Sequence, residues 1–357
     1  MTTRRSVLLP LVVAFSLLSL AACADTTAAT ETVTPSASPT MTPTAEPVAD
    51  VSSAPPQILD GECASVLTDA AASDLVGVPV MLVTPRFSDM PQVRSLASLG
   101  GLDCWWLPDA ADETASLTVT LLPEAAVPGW AEATELTCAP FDSRYNCSSD
   151  VIDQGYWTSI YLNAAVDTTE GATGAANTVL SAVDSAITAA GAPPVAVPGG
   201  ALDGAWLPRT DCEPLLTEVD AAALTGIPGL TELTFAAGPA EMQQSYAAAV
   251  TVTGASACIL VEAGYPEAPA RALGVDFLPG GSWVEEDIES LPGAVELDPT
   301  TVDRAILVSD QNGASSGAVL HVFDGVNWLT VSSSEFDVDS SFLPFAEAIV
   351  AAQDAAI

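Results

Sequence analysis

The 357-residue chain carries 46 acidic residues against 8 arginines and no lysine, a formal net charge of −38. Basic residues are missing rather than acidic ones over-abundant, so no basic patch exists to neutralise nucleic-acid phosphates or to hold the chain on anionic headgroups. At 49% hydrophobic residues, the length leaves room for about two ordinary domains once a leader and a linker are set aside.

In chain order, an apolar run from Val7 to Leu20 follows Arg4 and Arg5 and closes on Leu20-Ala21-Ala22-Cys23. The run is short for a permanent bilayer span, and small residues precede the cysteine. This stretch resembles a bacterial lipobox. The resemblance implies that residues 1–22 are a signal peptide and that Cys23 becomes a lipid-modified (palmitate-bearing) N-terminus. The product is then anchored to the extracytoplasmic face of the cell membrane. Thr3-Arg4-Arg5-Ser6-Val7-Leu8 is compatible with twin-arginine export, while a need for several disulfides favours the ordinary route. Residues 24–56 are almost wholly Thr, Ala, Ser, Pro, Val and acids, with nothing to bury, and read as a disordered tether. Its reach lies between roughly 30 Å as a coil and roughly 100 Å as polyproline.

With Cys23 lipidated, Cys63, Cys104, Cys138, Cys147, Cys212 and Cys258 remain, an even number in an exported protein. That favours three disulfides over free thiols. His321 is the sole histidine and no Cys-x-x-Cys occurs, which disfavours a metal site.

The folded part reads as two copies of one unit. Cys63 is followed by Val66-Leu67-Thr68, Ala71, Leu75, Gly77 and Pro79; Cys212 is followed, at one constant offset, by Leu215-Leu216-Thr217, Asp220, Leu224, Gly226 and Pro228. Thr68 or Thr217 serves as helix N-cap, Gly77 or Gly226 as the C-terminal stop, and the proline prevents resumption. Cys104 parallels Cys258. Residues 116–121 alternate as a half-buried strand, with 273–278 as counterpart. Trp130 parallels Trp283, Arg144 parallels Arg304, and Trp157 parallels Trp328. Each copy closes with an amphipathic helix, striped by Ala176, Val179, Leu180, Val183 and Ile187 or by Leu343, Ala346, Ile349 and Val350. The expected architecture is α+β: two tandem repeats, 57–191 and 205–357, joined by a linker at 192–204. Each is an antiparallel sheet packed with an N-terminal and a C-terminal helix. A repeated fold should repeat its cross-link, which predicts disulfides 63–104 and 212–258, with 138–147 left as a staple across a hairpin of the first repeat. Asp298 and Leu307 stand at the expected counterparts of that staple.

The pattern of Cys, Leu-Thr, a short helix ending Gly-x-Pro and a second Cys some forty residues on resembles small extracytoplasmic lipoprotein domains of unknown function common in actinobacteria. Those are similar in turn to the extracellular sensor domains of some actinobacterial membrane kinases. The resemblance covers both repeats and implies location and fold; it offers no catalytic residue to carry over.

Gly313-Ala314-Ser315-Ser316-Gly317 satisfies Gly-x-Ser-x-Gly, but Asn312-Gly313 before it and the apolar run 318–322 after it describe a hairpin loop rather than a nucleophile elbow. Asp310 to Gly313 and Asp337 to Ser340 lack the ligand series of a calcium loop; Asp339 or Ser340 is the better cap for the last helix. Among Trp105, Trp106, Trp130, Trp157, Trp283 and Trp328, the adjacent pair must split across a strand, and Trp106 is the candidate for a ligand-facing position. No catalytic or cofactor motif stands out. The expected role is a non-catalytic ligand-binding or sensing module of the envelope, with a small molecule or an envelope protein as partner and no nucleic acid. A scaffold for an envelope complex is the alternative, and an unrecognised hydrolase the least favoured reading.

Overall fold

The computed structural model describes residues 54–83, 90–108, 115–195, 199–208, 212–232, 244–262, 271–309, 317–333 and 338–356. These belong to one compact unit, Ala49–Ile357. Cys23, most of the tether and the segment 310–316 lie outside the described residues, as does Asp337. The fold is α+β with two antiparallel sheets.

The first half opens with α1 (Asp69–Val76), where the Thr68 hydroxyl accepts the Ala71 N–H at 3.3 Å and Gly77, at φ +86°, ends the helix. A side chain at Gly77 would also meet the Ala165 carbonyl oxygen at 2.7 Å, so only glycine serves. Then follow β1 (Met81–Val83), α2 (Pro91–Ser98), β2 (Leu102–Leu107), β3 (Ser116–Pro123), β4 (Thr134–Phe141), β5 (Arg144–Asp153), β6 (Tyr156–Ala164) and α3 (Thr169–Ala190). The sheet order is β1-β2-β3-β6-β5-β4. One face carries Cys104, Trp106, Leu117, Val119, Leu121, Ile160 and Leu162 against α1 and the Ala176, Val179, Val183 and Ile187 stripe of α3.

The second half has α4 (Glu213–Glu218), α5 (Ala221–Thr225), β7 (Thr231–Glu232), α6 (Gln244–Thr253), β8 (Ser256–Val261), β9 (Ala272–Leu278), α7 (Glu285–Glu289), β10 (Ala294–Leu297), β11 (Arg304–Val308), β12 (Val319–Asp324), β13 (Asn327–Ser332) and α8 (Leu343–Asp354). Its sheet order is β10-β11-β12-β13-β9-β8-β7. Read from β7 and β1 inward, the two orders agree, with β10 as an added edge. The core face packs Val275, Phe277, Leu320, Val322, Leu329 and Val331 on Phe345, Ala346, Ile349 and Val350 of α8. Disulfides join Cys63 to Cys104, Cys138 to Cys147 and Cys212 to Cys258.

Several expectations need correction. Thr217 is not an N-cap: Pro214 starts α4 early, so Thr217 falls inside that helix and its hydroxyl donates to the Pro214 carbonyl. The helix breaks at Asp220, which takes a left-handed φ of +47° and makes no side-chain cap. By strand position β4 answers to β11 and β5 to β12, so Arg144 and Arg304 stand on non-equivalent strands, and Asp298 and Leu307 are not the counterparts of Cys138 and Cys147. Trp130 is 47% exposed whereas Trp283 is buried, so the parallel between those two does not extend to their environments. For Trp157 and Trp328 it does: both are buried, paired with Leu122 and Leu278 respectively. Asp339 caps the turn into α8, its carboxylate accepting the Ser341 N–H at 2.8 Å.

Between the halves, residues 199–208 pack on the second core rather than standing clear of it. Trp206, which the aromatic set above omits, is buried; its backbone N–H reaches Asn327 Oδ1 and its indole reaches Asp354 Oδ1, both at 2.9 Å. Gly199 lies so close to Pro279 that an added Cβ would come within 2.1 Å of its carbonyl oxygen.

Candidate functional site

The second faces of the two sheets are covered by α2 and α6, which pack on each other. Leu96 and Leu99 join Ala248 and Ala249 over Leu122 and Trp157 of the first sheet. Ala97 and Val250 lie over Leu278, Ile306, Phe323 and Trp328 of the second. The layers therefore run helices, sheet, helix pair, sheet, helices. Both central helices are short and rich in Ala and Ser, which allows close approach, and each is buried on two sides. α6, with apolar residues nearly all round, has no single apolar stripe for a sequence pattern to reveal; α2 is only eight residues long.

Two polar contacts cross this seam in opposite directions. Gln92 of α2 donates from Nε2 to Asp276 Oδ1 of the second sheet at 2.8 Å, and the Tyr246 hydroxyl of α6 donates to Asp103 Oδ2 of the first. Gln92 and Tyr246 each stand twelve residues ahead of a bridged strand cysteine, Cys104 or Cys258. The two carboxylates occupy opposite strands of the same kind of ladder pair: Asp103 lies across from Thr120, and Asp276 lies across from Ala257.

Their environments differ. Asp103 also accepts the Trp105 indole N–H at 2.5 Å and the Thr120 hydroxyl at 2.7 Å. Burial pushes its carboxyl above the usual range, and those three hydrogen bonds oppose the shift. The same burial and the facing carboxylate push the Tyr246 hydroxyl up. Asp276 is 4% exposed, holds a long 3.4 Å contact from Thr330 besides Gln92, and is pushed up to about 7 by burial. Across Thr330 from Asp276, on the same face, lies His321. Its ring stacks on Trp328 with centroids 5.8 Å apart, both ring nitrogens lack a hydrogen-bond partner, and burial lowers its pKa to about 3. His321 is thus a neutral core side chain, tied to no nucleophile among the described residues.

Where α2 passes the β1 edge, a groove of about 360 Å³ opens. Leu82, Val83, Val93, Leu96, Ala97 and Leu102 supply an apolar lining, and Asp103, Arg94 and Gln57 are its polar members. Arg94 is engaged elsewhere: its guanidinium pairs with Asp287 at 3.2 Å and sits 5.9 Å over the Trp283 ring. The same helix therefore borders the groove and grips the second sheet.

Trp106 does not face a ligand. It is fully buried in the first core, and its neighbour Trp105 takes the other face, beside Asp103. The signal was present: Trp106 lies two residues beyond Cys104, so it must share the face that the disulfide draws under α1. The Gly-x-Ser-x-Gly serine lies outside the described residues; its flanking strands β11 and β12 pair antiparallel, Val308 across from Val319. Among the described residues no group of three or more His, Cys, Asp or Glu could hold a metal ion, and no helix is long and apolar enough to cross a membrane. Asp324, beside Asp354 and Asp303, is pushed up to about 6, first by burial and then by its two acidic neighbours.

No protein-family model, no curated protein and no solved structure matches this chain.

Proposed function

We propose that the chain is a lipid-tethered, extracytoplasmic binding or sensing protein without catalytic activity, built by duplication of one α+β unit. The duplication is supported by the shared strand order, the equivalent disulfides 63–104 and 212–258, and the reciprocal seam contacts. Three disulfides suit an oxidising compartment, in keeping with the signal and lipobox pattern ending at Cys23. The resemblance to actinobacterial envelope lipoproteins and kinase sensor domains is part of the same proposal.

The observation that carries the binding reading is the groove beside β1. A largely apolar lining with a few polar groups, here Asp103, Arg94 and Gln57, is the usual make-up of a small-ligand site, and α2 links that groove to the second sheet. A scaffold for an envelope complex is the alternative; recovery of a stoichiometric protein partner from native membranes, with no small-molecule binding, would favour it.

Anchoring is tested by fractionation. Wild-type protein is expected almost wholly with membranes, and Cys23→Ser almost wholly in the soluble extracytoplasmic fraction, because no polybasic surface exists to hold an unlipidated chain on the bilayer. Wild-type protein in the soluble fraction would overturn the lipobox reading.

A further inference from the structure

We propose that the groove beside β1 takes a small organic cation with an apolar body, an alkylammonium-type ligand, whose charged end meets the carboxylate of Asp103. This inference rests on the binding reading above and names the ligand class.

Four observations carry it. First, the side-chain partners of Asp103 among the described residues, Tyr246, Trp105 and Thr120, are all neutral donors, with no ion pair among them. A carboxylate offers about four acceptor positions. Oδ2 takes Tyr246 and Trp105 while Oδ1 takes only Thr120, which leaves Oδ1 able to accept again. Second, Asp103 lines the groove and is not fully enclosed, unlike Asp276 at 4% exposure. A desolvated carboxylate with an oriented cradle gains more from a cation than a solvated one does. Third, most of the lining among the described residues is apolar, with Leu82, Val83, Val93, Leu96, Ala97 and Leu102 offering a surface for a hydrocarbon body that a bare ion would not use. Fourth, the guanidinium that borders the groove among the described residues, Arg94, pairs with Asp287 and sits over Trp283 on the side of the second sheet. The net charge of −38 concentrates cations at the surface and repels anions. The second half has no such arrangement: at the strand position of Asp103 it has Ala257, so the proposed site belongs to the first half alone.

The test uses full-length protein at about 0.15 M salt, where long-range surface attraction is screened, and three probes of one shape: hexylammonium, hexanol and hexanoate. Binding is followed by calorimetry and by NMR of the Trp105 indole N–H, which donates to Asp103. Hexylammonium is expected to bind at least about tenfold tighter than hexanol, a difference of about 1.4 kcal/mol, to shift the Trp105 indole signal, and to exceed hexanoate further. Asp103→Asn should bring hexylammonium down to hexanol without weakening hexanol, and Leu82→Trp, which fills the groove, should weaken both. Equal binding of hexylammonium and hexanol, a preference that survives Asp103→Asn, or an unmoved Trp105 signal would overturn the cation inference while leaving the binding reading intact. Failure of all three probes to bind at about 10 mM, weaker than the millimolar range of about −4 kcal/mol, would overturn both. Should Asp103→Asn not fold, the wild-type contrast of probes and the Trp105 signal still decide.

Discussion

Replacing Cys63 and Cys104 together by alanine is expected to lower the stability of the chain by about 4 kcal/mol. That is the loop-closure entropy of a bridge of this span; its cysteines are 41 residues apart. The same change at Cys138 and Cys147, 9 residues apart across the β4–β5 hairpin, should cost about 2.7 kcal/mol on the same scale. Both disulfides reach strands of the first sheet, and the burial of Cys63 and Cys104 in its core adds to the difference that loop length makes. Cys63–Cys104 also fixes the start of the first half to β2, the strand that carries Asp103 and Trp106, and its loss should expose the groove edge to amide hydrogen exchange before the rest of the sheet. Urea unfolding of the two double variants against wild type checks the order. A hairpin variant as unstable as the long-loop variant would refute it.

The second large effect is a pair of opposed pH dependences at the seam. Asp276 has its pKa pushed up to about 7 by burial. Between its ordinary value near 4 and about 7 the folded state holds the proton more tightly than the unfolded chain, so its contribution to stability is complete at acid pH and is lost as pH rises to about 7. His321 is held down to about 3. Between about 6.5 and 3 the unfolded chain binds the proton that the folded one refuses, so its contribution is lost as pH falls through that window. The two slopes nearly cancel from about pH 4 to 6.5. Each window spans roughly three pH units, a ceiling on the order of 4 kcal/mol for each group.

Asp276→Asn is therefore expected to be more stable than wild type at pH 8, by a margin that shrinks toward zero near pH 4. An asparagine there still accepts from Gln92. His321→Phe keeps the ring stacked on Trp328 and should gain on wild type below about pH 6 and not above. Other titrating groups are common to all three proteins and drop out of the differences. Thermal unfolding from pH 4 to 8 measures both differences. Parallel curves for wild type and Asp276→Asn would show that the carboxylate is not buried in the seam.

Much of the local structure was legible in the sequence because its causes are local. Thr68 and Gly77 bound α1 by capping and by a left-handed φ, and the stripe on α3 follows helical spacing. Trp157 and Trp328 were matched by the glycine turns ahead of them and share one ladder position. The cysteine pairing followed from repetition rather than from count. Where the two halves differ, the matching of residues between them does not hold. Pro214 starts a helix early and leaves Thr217 inside it, and the extra strand β10 displaces the match of Arg144 with Arg304, which stand on non-equivalent strands.

The sequence by itself determined the charge regime, the α+β class and the cysteine pairing, since composition, turn chemistry, short-range periodicity and the recurrence of one cysteine pattern suffice for these. Tertiary structure alone decided that Asp103 and Asp276 are desolvated and that each is gripped by a helix from the other half. Asp103 is 143 residues from Tyr246, and Gln92 is 184 residues from Asp276. No local pattern reports such a meeting. An aspartate beside a strand cysteine looks like any solvated acid of this acidic chain, and only the packing of α2 against α6 removes the water that would have kept it so.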